Sequence, residues 1–179
     1  RGVLLFGGYQ WDAMSGAEIA QGHNSAFVDK QNRSFVVYHT RFSNGGEGHQ
    51  VRVHQLFLND EGWLMAAPFE FDGETITDAA IASKASIADA DIAGDYQFMR
   101  HQYGQNTKAK AFETPVNITL NADGTITGAE KGTWKRTAGT DYIHLTINDV
   151  VYRGVLVKQT IDYTNIPAIA ISALSSSSG

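Results

Sequence analysis

Turn-forming tetrapeptides set between short β-prone runs constrain this chain more than any other feature. The clearest case is Val116 to Leu120, an alternating run followed by Asn121-Ala122-Asp123-Gly124 and a return over Thr125 to Thr127. Asp-Gly between β-prone segments is the strongest short-range hairpin signal, because glycine reaches the positive φ that such turns demand. Asn59-Asp60-Glu61-Gly62 does the same between Gln50 to Leu58 and Trp63 to Ala67. In the first of those runs Val51, Val53, Gln55 and Phe57 fall on one face, and Arg52, His54, Leu56 and Leu58 on the other. Ser25 to Val28 closes on Asp29-Lys30-Gln31-Asn32, and Ser34 to Thr40 is rich in β-branched and aromatic residues. Residues 24–67 therefore predict a four-stranded antiparallel meander. Gly94 to Gln102, Gly132 to Arg136, Tyr142 to Ile147, Val150 to Leu156 and Lys158 to Tyr163 continue the pattern, with a tight turn at Asn148-Asp149. Short strands at regular spacing predict a barrel or sandwich.

Helix signals are weak. Asp78 to Ala90 is alanine-rich but shows no apolar face, and reads as a linker with an irregular or helical turn. The boundary between the two halves is expected near Asp72-Gly73. Both ends read as cut. The chain opens at Arg1-Gly2-Val3, without an initiator Met or a signal peptide, inside an apolar run. It closes with Ile169 to Leu174 and a serine run, Ser175 to Gly179, which reads as a loop whose partner strand lies beyond.

Composition narrows the function classes. At 179 residues the chain makes one large or two small domains, and 42% hydrophobic residues favour a packed core over disorder. A formal net charge of -5 with no basic block argues against nucleic acid as a partner. No apolar run approaches the roughly 20 residues that span a bilayer. The absence of cysteine excludes disulfides and thiolate metal sites, and fits both the cytoplasm and many bacterial secreted enzymes.

Six histidines stand out, four of them (His23, His39, His49 and His54) in the first 54 residues. None shows the His-x-x-x-His spacing of a helical zinc site, and His49 and His54 fall on opposite faces of a strand, so no zinc cluster is predicted. Gly22-His23-Asn24-Ser25 reads as a loop-to-strand junction. Small residues there let the backbone approach a ligand, and His23 can offer a ring nitrogen to a metal or a sugar hydroxyl. In Tyr38-His39-Thr40-Arg41-Phe42, Arg41 can bind a polar ligand through its fixed fork of donors, or pair structurally with Glu47 or Asp12. Trp11, Tyr9 and Tyr38 can stack on sugar rings, although packing is the commoner fate of such residues. The candidate site is thus Asn24, Ser25 and Arg41 toward substrate and His23 toward a metal. Glycosidases need two facing carboxyl groups. Glu18, Glu47, Asp12 and Asp29 qualify by type, yet none has a recognisable catalytic setting, and Asp29, Asp60 and Asp123 are turn residues. No catalytic residue is assigned.

Gly22-His23-Asn24-Ser25-Ala26, Tyr38-His39-Thr40-Arg41-Phe42, Val51-Arg52-Val53-His54-Gln55-Leu56-Phe57, Gly62-Trp63 and Ala67-Pro68 resemble, in this order, the endo-1,5-α-L-arabinanases of glycoside hydrolase family 43. The remainder is similar, more loosely, to the β-barrel domain that follows the catalytic domain in longer members. The resemblance implies an all-β fragment: the final blade of a five-bladed β-propeller over residues 1–72, then an antiparallel barrel or sandwich over residues 73–179. It implies a secreted or periplasmic enzyme that hydrolyses arabinan or arabino-oligosaccharides with inversion. Its two Asp and one Glu come from earlier blades, which become this chain's partners. It also implies calcium on the propeller axis, with His23 as the one protein ligand, although calcium ordinarily prefers oxygen.

Two rivals remain. A carbohydrate-binding or interaction module would use Tyr96, Tyr103 and Trp134 as exposed platforms. A lipocalin-like carrier would enclose an apolar cavity, of which the sequence gives no sign. Residues 1–72 are expected to need neighbours for Val36, Tyr38, Val51, Val53 and Phe57, while residues 73–179 are expected to be nearer self-sufficient.

Overall fold

A computed structural model describes residues 4–101 and 112–175. Gln102, Tyr103, Val3 and the serine run after Ser175 lie outside the described residues. Two antiparallel sheets make up the molecule. The first orders β1 (Glu18–Val28), β2 (Ser34–Phe42), β3 (Gln50–Leu58) and β4 (Leu64–Ala66) as a plain meander. The second has seven strands: β5 (Gly94–Phe98), β6 (Val116–Leu120), β7 (Thr125–Gly128), β8 (Gly132–Arg136), β9 (Tyr142–Ile147), β10 (Val150–Thr160) and β11 (Pro167–Ser175). They lie side by side in chain order. The all-β expectation holds, and among the described residues the helical turns are α1 (Asp78–Ser83) and α2 (Asp89–Ile92), which stand between the sheets in the chain. Thr77 caps the first of them by accepting the Ala80 N–H.

Two expectations need correction. Val150 to Leu156 and Lys158 to Tyr163 are one strand as far as Thr160, and the apparent break falls where Val155, Leu156 and Val157 are all buried. Ile169 to Leu174 lies in β11 together with Ser175, the first residue of the run expected to be a loop, and β11 pairs with β10 from Thr160↔Pro167 to Tyr152↔Ser175. The seven-stranded sheet can curl because glycine stands where neighbouring strands crowd. A Cβ on Gly132 would sit 1.8 Å from the Thr146 carbonyl oxygen, and one on Gly154 2.3 Å from that of Ser172. The curled inner face holds Ile118, Leu120, Ile126, Ile143, Leu145, Ile147 and Leu156, closed from below by Ile87 and Ile92 of the helical segment.

That helical segment is fastened by a buried ion pair. Asp141 is fully buried, pairs with Arg136, and accepts from the Ser86 hydroxyl at 2.5 Å and amide at 3.0 Å. Arg136 also donates to the carbonyls of Thr140 and Ile87 and to Asp89.

A second core joins the sheets: Phe57, Met65 and Ala67 from the first half pack with Ile81, Val155, Val157 and Ala170. A third lies on the other face of the first sheet, where Leu5 and Phe6 cover Val36, Tyr38, Leu56 and Ala66. Of the apolar residues expected to need neighbours, Val36, Tyr38 and Phe57 thus find cover inside this chain, and Val51 is left 63% exposed. Gln159 stitches the junction by accepting the Phe69 N–H at 3.2 Å and donating to the Phe69 carbonyl at 3.1 Å. A side-chain amide here replaces a strand partner.

Candidate functional site

The first strand is where the structure departs most from regularity. β1 begins at Glu18, seven residues earlier than the sequence suggests, so Gly22-His23 is not a loop-to-strand junction. It lies inside the strand between two register shifts, one from Ile19 to Gly22 and one from Gly22 to Ser25. Ala20 and His23 take left-handed backbone, with φ of 55° and 42°. Bulges of this kind re-aim side chains, and a non-glycine residue held there carries strain.

The double bulge brings together residues far apart in sequence. Gly22 stands opposite His39. The His23 and His39 rings tilt together with centroids 4.8 Å apart, and His39 meets His49 edge-on at 4.9 Å. Arg41 donates from Nε to His49 Nε2 at 3.1 Å and pairs with Glu47. The structural partner of Arg41 is therefore Glu47 and not Asp12, which instead accepts from Gln97 at 2.9 Å. Asn24 and Ser25 are exposed on the same strand as His23. All four sequence-predicted site residues thus belong to the first two strands. His39 and His49, not predicted, complete the row. Strand pairing was the available signal, since a hairpin about Asp29–Arg33 carries Gly22 back to His39.

His23 is exposed, and its ring nitrogens make no hydrogen bond among the described residues. It can therefore offer a lone pair outward. His39 is kept less basic than an ordinary histidine by desolvation and by the neighbouring His23, His49 and Arg41. No three His, Asp or Glu side chains converge to hold a metal among the described residues. The geometry fits His23 as a single ligand to an ion whose other ligands come from elsewhere, and it does not supply an oxygen cage for calcium.

A buried polar cluster went unforeseen. Glu18, 1% exposed, accepts from the Tyr38 hydroxyl at 2.6 Å and from that of Tyr9 at 3.3 Å. Arg52 lies 3.9 Å from Glu18 and 3.5 Å from Glu70, donates to the Tyr163 hydroxyl at 2.9 Å, and covers the Phe42 ring. Asp162 accepts the Glu70 N–H at 2.9 Å. Burial raises the proton affinity of Glu18, Glu70 and Asp162, the last to a pKa of about 7. Tyr9 and Tyr38 are thus packed and hydrogen-bonded, not free to stack on sugar. This cluster ties β1 and β3 to the β10–β11 turn. Its carboxyl groups surround an arginine and do not face each other across an open cleft.

A cavity of about 1720 Å³ opens between the curled sheet, the first sheet and the N-terminal segment, lined by Phe6, Trp11, Phe98, Ile118 and Ile171 among others. No local pattern in the chain hints at it, because its walls come from both halves. His54 lines it too, with Nδ1 at 2.8 Å from the Ala67 carbonyl and Nε2 without a partner among the described residues, and burial takes its pKa down to about 4. Tyr96 and Trp134 are no exposed platforms. Both pack partly buried on the second sheet's core, with the Tyr96 hydroxyl bonded to Ile92 and the Trp134 indole N–H to Asn121. Tyr103 lies outside the described residues.

Known proteins share both halves of this architecture. Residues 68–179 match the GH43_C family model, a C-terminal lipocalin-like domain. The extracellular endo-α-(1→5)-L-arabinanase of Thermotoga petrophila is 43% identical over 146 residues, which is 79% of this chain and 28% of that protein. The extracellular endo-α-(1→5)-L-arabinanase 2 of Bacillus subtilis is 38% identical over 162 residues, 88% of this chain and 32% of that protein. The crystal structure of the Thermotoga petrophila endo-1,5-α-L-arabinanase with Tris superposes on 96% of this chain and 37% of its own, at 40% identity and a TM-score of 0.81. The chain spans about a third of the length of the curated relatives it matches.

Proposed function

The chain belongs to the C-terminal lipocalin-like domain family of glycoside hydrolase family 43, and from that premise we propose that it is the C-terminal part of an extracellular endo-1,5-α-L-arabinanase. The observation that best supports this is the reach of the structural likeness. It extends over 96% of the chain to an arabinanase, and so includes the first sheet, which lies ahead of the matched family domain. In this reading residues 1–72 are the final blade of a catalytic propeller and residues 73–179 its accessory barrel. The acid and base that invert the anomeric carbon come from upstream blades. Arabinan is the substrate, cleaved outside the cell.

The chain's own residues then have supporting parts. His23 would present one imidazole, as the one protein ligand, to a calcium ion on the propeller axis, with waters as the oxygen ligands. When bound, the ion supplies fixed positive charge beside the acidic cluster that does the chemistry. Asn24 and Ser25, exposed beside His23, face substrate. Arg41, held by Glu47 and His49, keeps a guanidinium at the rim of the same sheet.

The test is hydrolysis of linear arabinan by purified residues 1–179 and by the full-length enzyme. The expected result is release of arabino-oligosaccharides by the full-length enzyme alone. Release by residues 1–179 without any other chain overturns the reading. In the full-length enzyme His23→Ala is expected to reduce retained calcium and arabinanase activity together.

A further inference from the structure

We propose that His39, backed by His49, is a positioning residue that fixes the orientation of the His23 ring. The proposal rests on the reading of His23 as a metal ligand. A ligand supplied by one exposed side chain is useful only if that side chain keeps its direction, and nothing polar among the described residues holds His23. Its backbone is strained at φ 42° between two register shifts, so the bulge sets where the side chain leaves the strand but not where the ring points.

The His39 ring supplies the missing constraint. Its centroid lies 4.8 Å from that of His23, and Gly22, directly across the pair, leaves room for it: a Cβ at Gly22 would already touch His39 Nε2 at 3.4 Å. His39 is itself held from the far side by His49 at 4.9 Å. His49 Nε2 accepts from Arg41 Nε, and Arg41 pairs with Glu47. Rings, guanidinium and carboxylate form one row of contacts across β1, β2 and the approach to β3. Groups that orient a metal-bound histidine without touching the metal commonly matter to affinity. Here that role falls to an aromatic face and not to a hydrogen bond.

Two measurements test the proposal with His39→Ala, His39→Phe and His23→Ala. The first follows the His23 ring 13Cε1 resonance in residues 1–179 and needs no metal. A single ordered rotamer is expected in the parent chain and in His39→Phe, and rotamer averaging in His39→Ala. The second titrates calcium into the full-length enzyme. His39→Ala is expected to weaken binding by roughly 10-fold, with most of the loss restored in His39→Phe. An unchanged His23 ring in His39→Ala overturns the proposal. So does a His39→Phe variant as impaired as His39→Ala while its circular dichroism is native. Calcium affinity that survives His23→Ala overturns the metal reading instead, and the ring measurement still decides whether His39 positions His23.

Discussion

The seven-stranded sheet keeps its register through every pairing from β5 to β11, whereas the four-stranded sheet loses register twice within β1 alone. The same contrast appears in the backbone. Positive φ at non-glycine residues of the second sheet is confined to the turns at Asn148-Asp149 and Tyr163, while in the first sheet Ala20 and His23 adopt it inside a strand. In the second sheet, close approaches are solved by glycine at 132 and 154, with the outcome a closed apolar core. In the first sheet the irregular positions, Ala20 and His23, are both exposed to solvent. Regularity thus marks the region that holds together, and strain marks the region to which the proposed function assigns a ligand.

The contrast can be broken most forcefully at the Arg136–Asp141 pair. Arg136→Ala leaves Asp141 buried without its partner, and a loss of about 3–5 kcal/mol is expected in denaturant unfolding. A loss below about 1 kcal/mol would show that the helical segment is not fastened there. Next in size is the pH response of the junction. The Asp162 carboxyl rises from its ordinary 3.8 to about 7 on folding, chiefly through burial, with Glu70 and Glu18 adding to the rise and Arg52 opposing it. The folded state therefore holds the proton more tightly. The stability contributed is fully present below about pH 4 and lost as pH rises through about 7. Thermal unfolding across that window is expected to show the decline, and Asp162→Asn to flatten it. A smaller effect of opposite sign is expected at the bulge. His23→Gly relieves left-handed strain and should raise stability by about 1 kcal/mol, while calcium retention falls. At the bottom of the scale stands Val51→Ala, expected within about 0.5 kcal/mol of the parent because the side chain is exposed. A much larger cost measured in the full-length enzyme would mean that an upstream neighbour covers Val51.

Hairpins closed by local turn chemistry were legible without a structure. Asp123-Gly124 and Asn59 to Gly62 stand where the turns are, with Thr125 donating to Asp123 Oδ1 and the Asn59 side chain accepting from Glu61 and Trp63. What could not be read is what breaks period two. The bulges add residues to β1, so the strand before Ser25 loses its alternation and looks like loop. Leu156 turns to the inner core while Val155 and Val157 turn to the inter-sheet core, so three successive apolar residues hide the strand's continuity. Of the site, His23 and Arg41 carried local signals, but His39 and His49 join them only through pairing of three chain segments. The Glu18–Arg52–Asp162 cluster depends on residues more than a hundred positions apart.

The placement of β10 has a consequence for dissecting the molecule. Because its two faces serve different cores, this strand is a party wall. Phe57 and Met65 lean on it from one side and the curled sheet from the other. A cut at residue 72 would therefore not divide a pair of houses along an open lane. It would strip Phe57, Met65 and Ala67 from the wall and uncover part of the apolar stripe of Val155, Val157 and Ala170, leaving Ile81 as the one other buried residue to cover it. Such a surface draws a second copy of itself or any exposed strand nearby. Separately expressed halves are expected to be stickier than the whole, and the remedy lies in resurfacing that stripe and not in moving the cut.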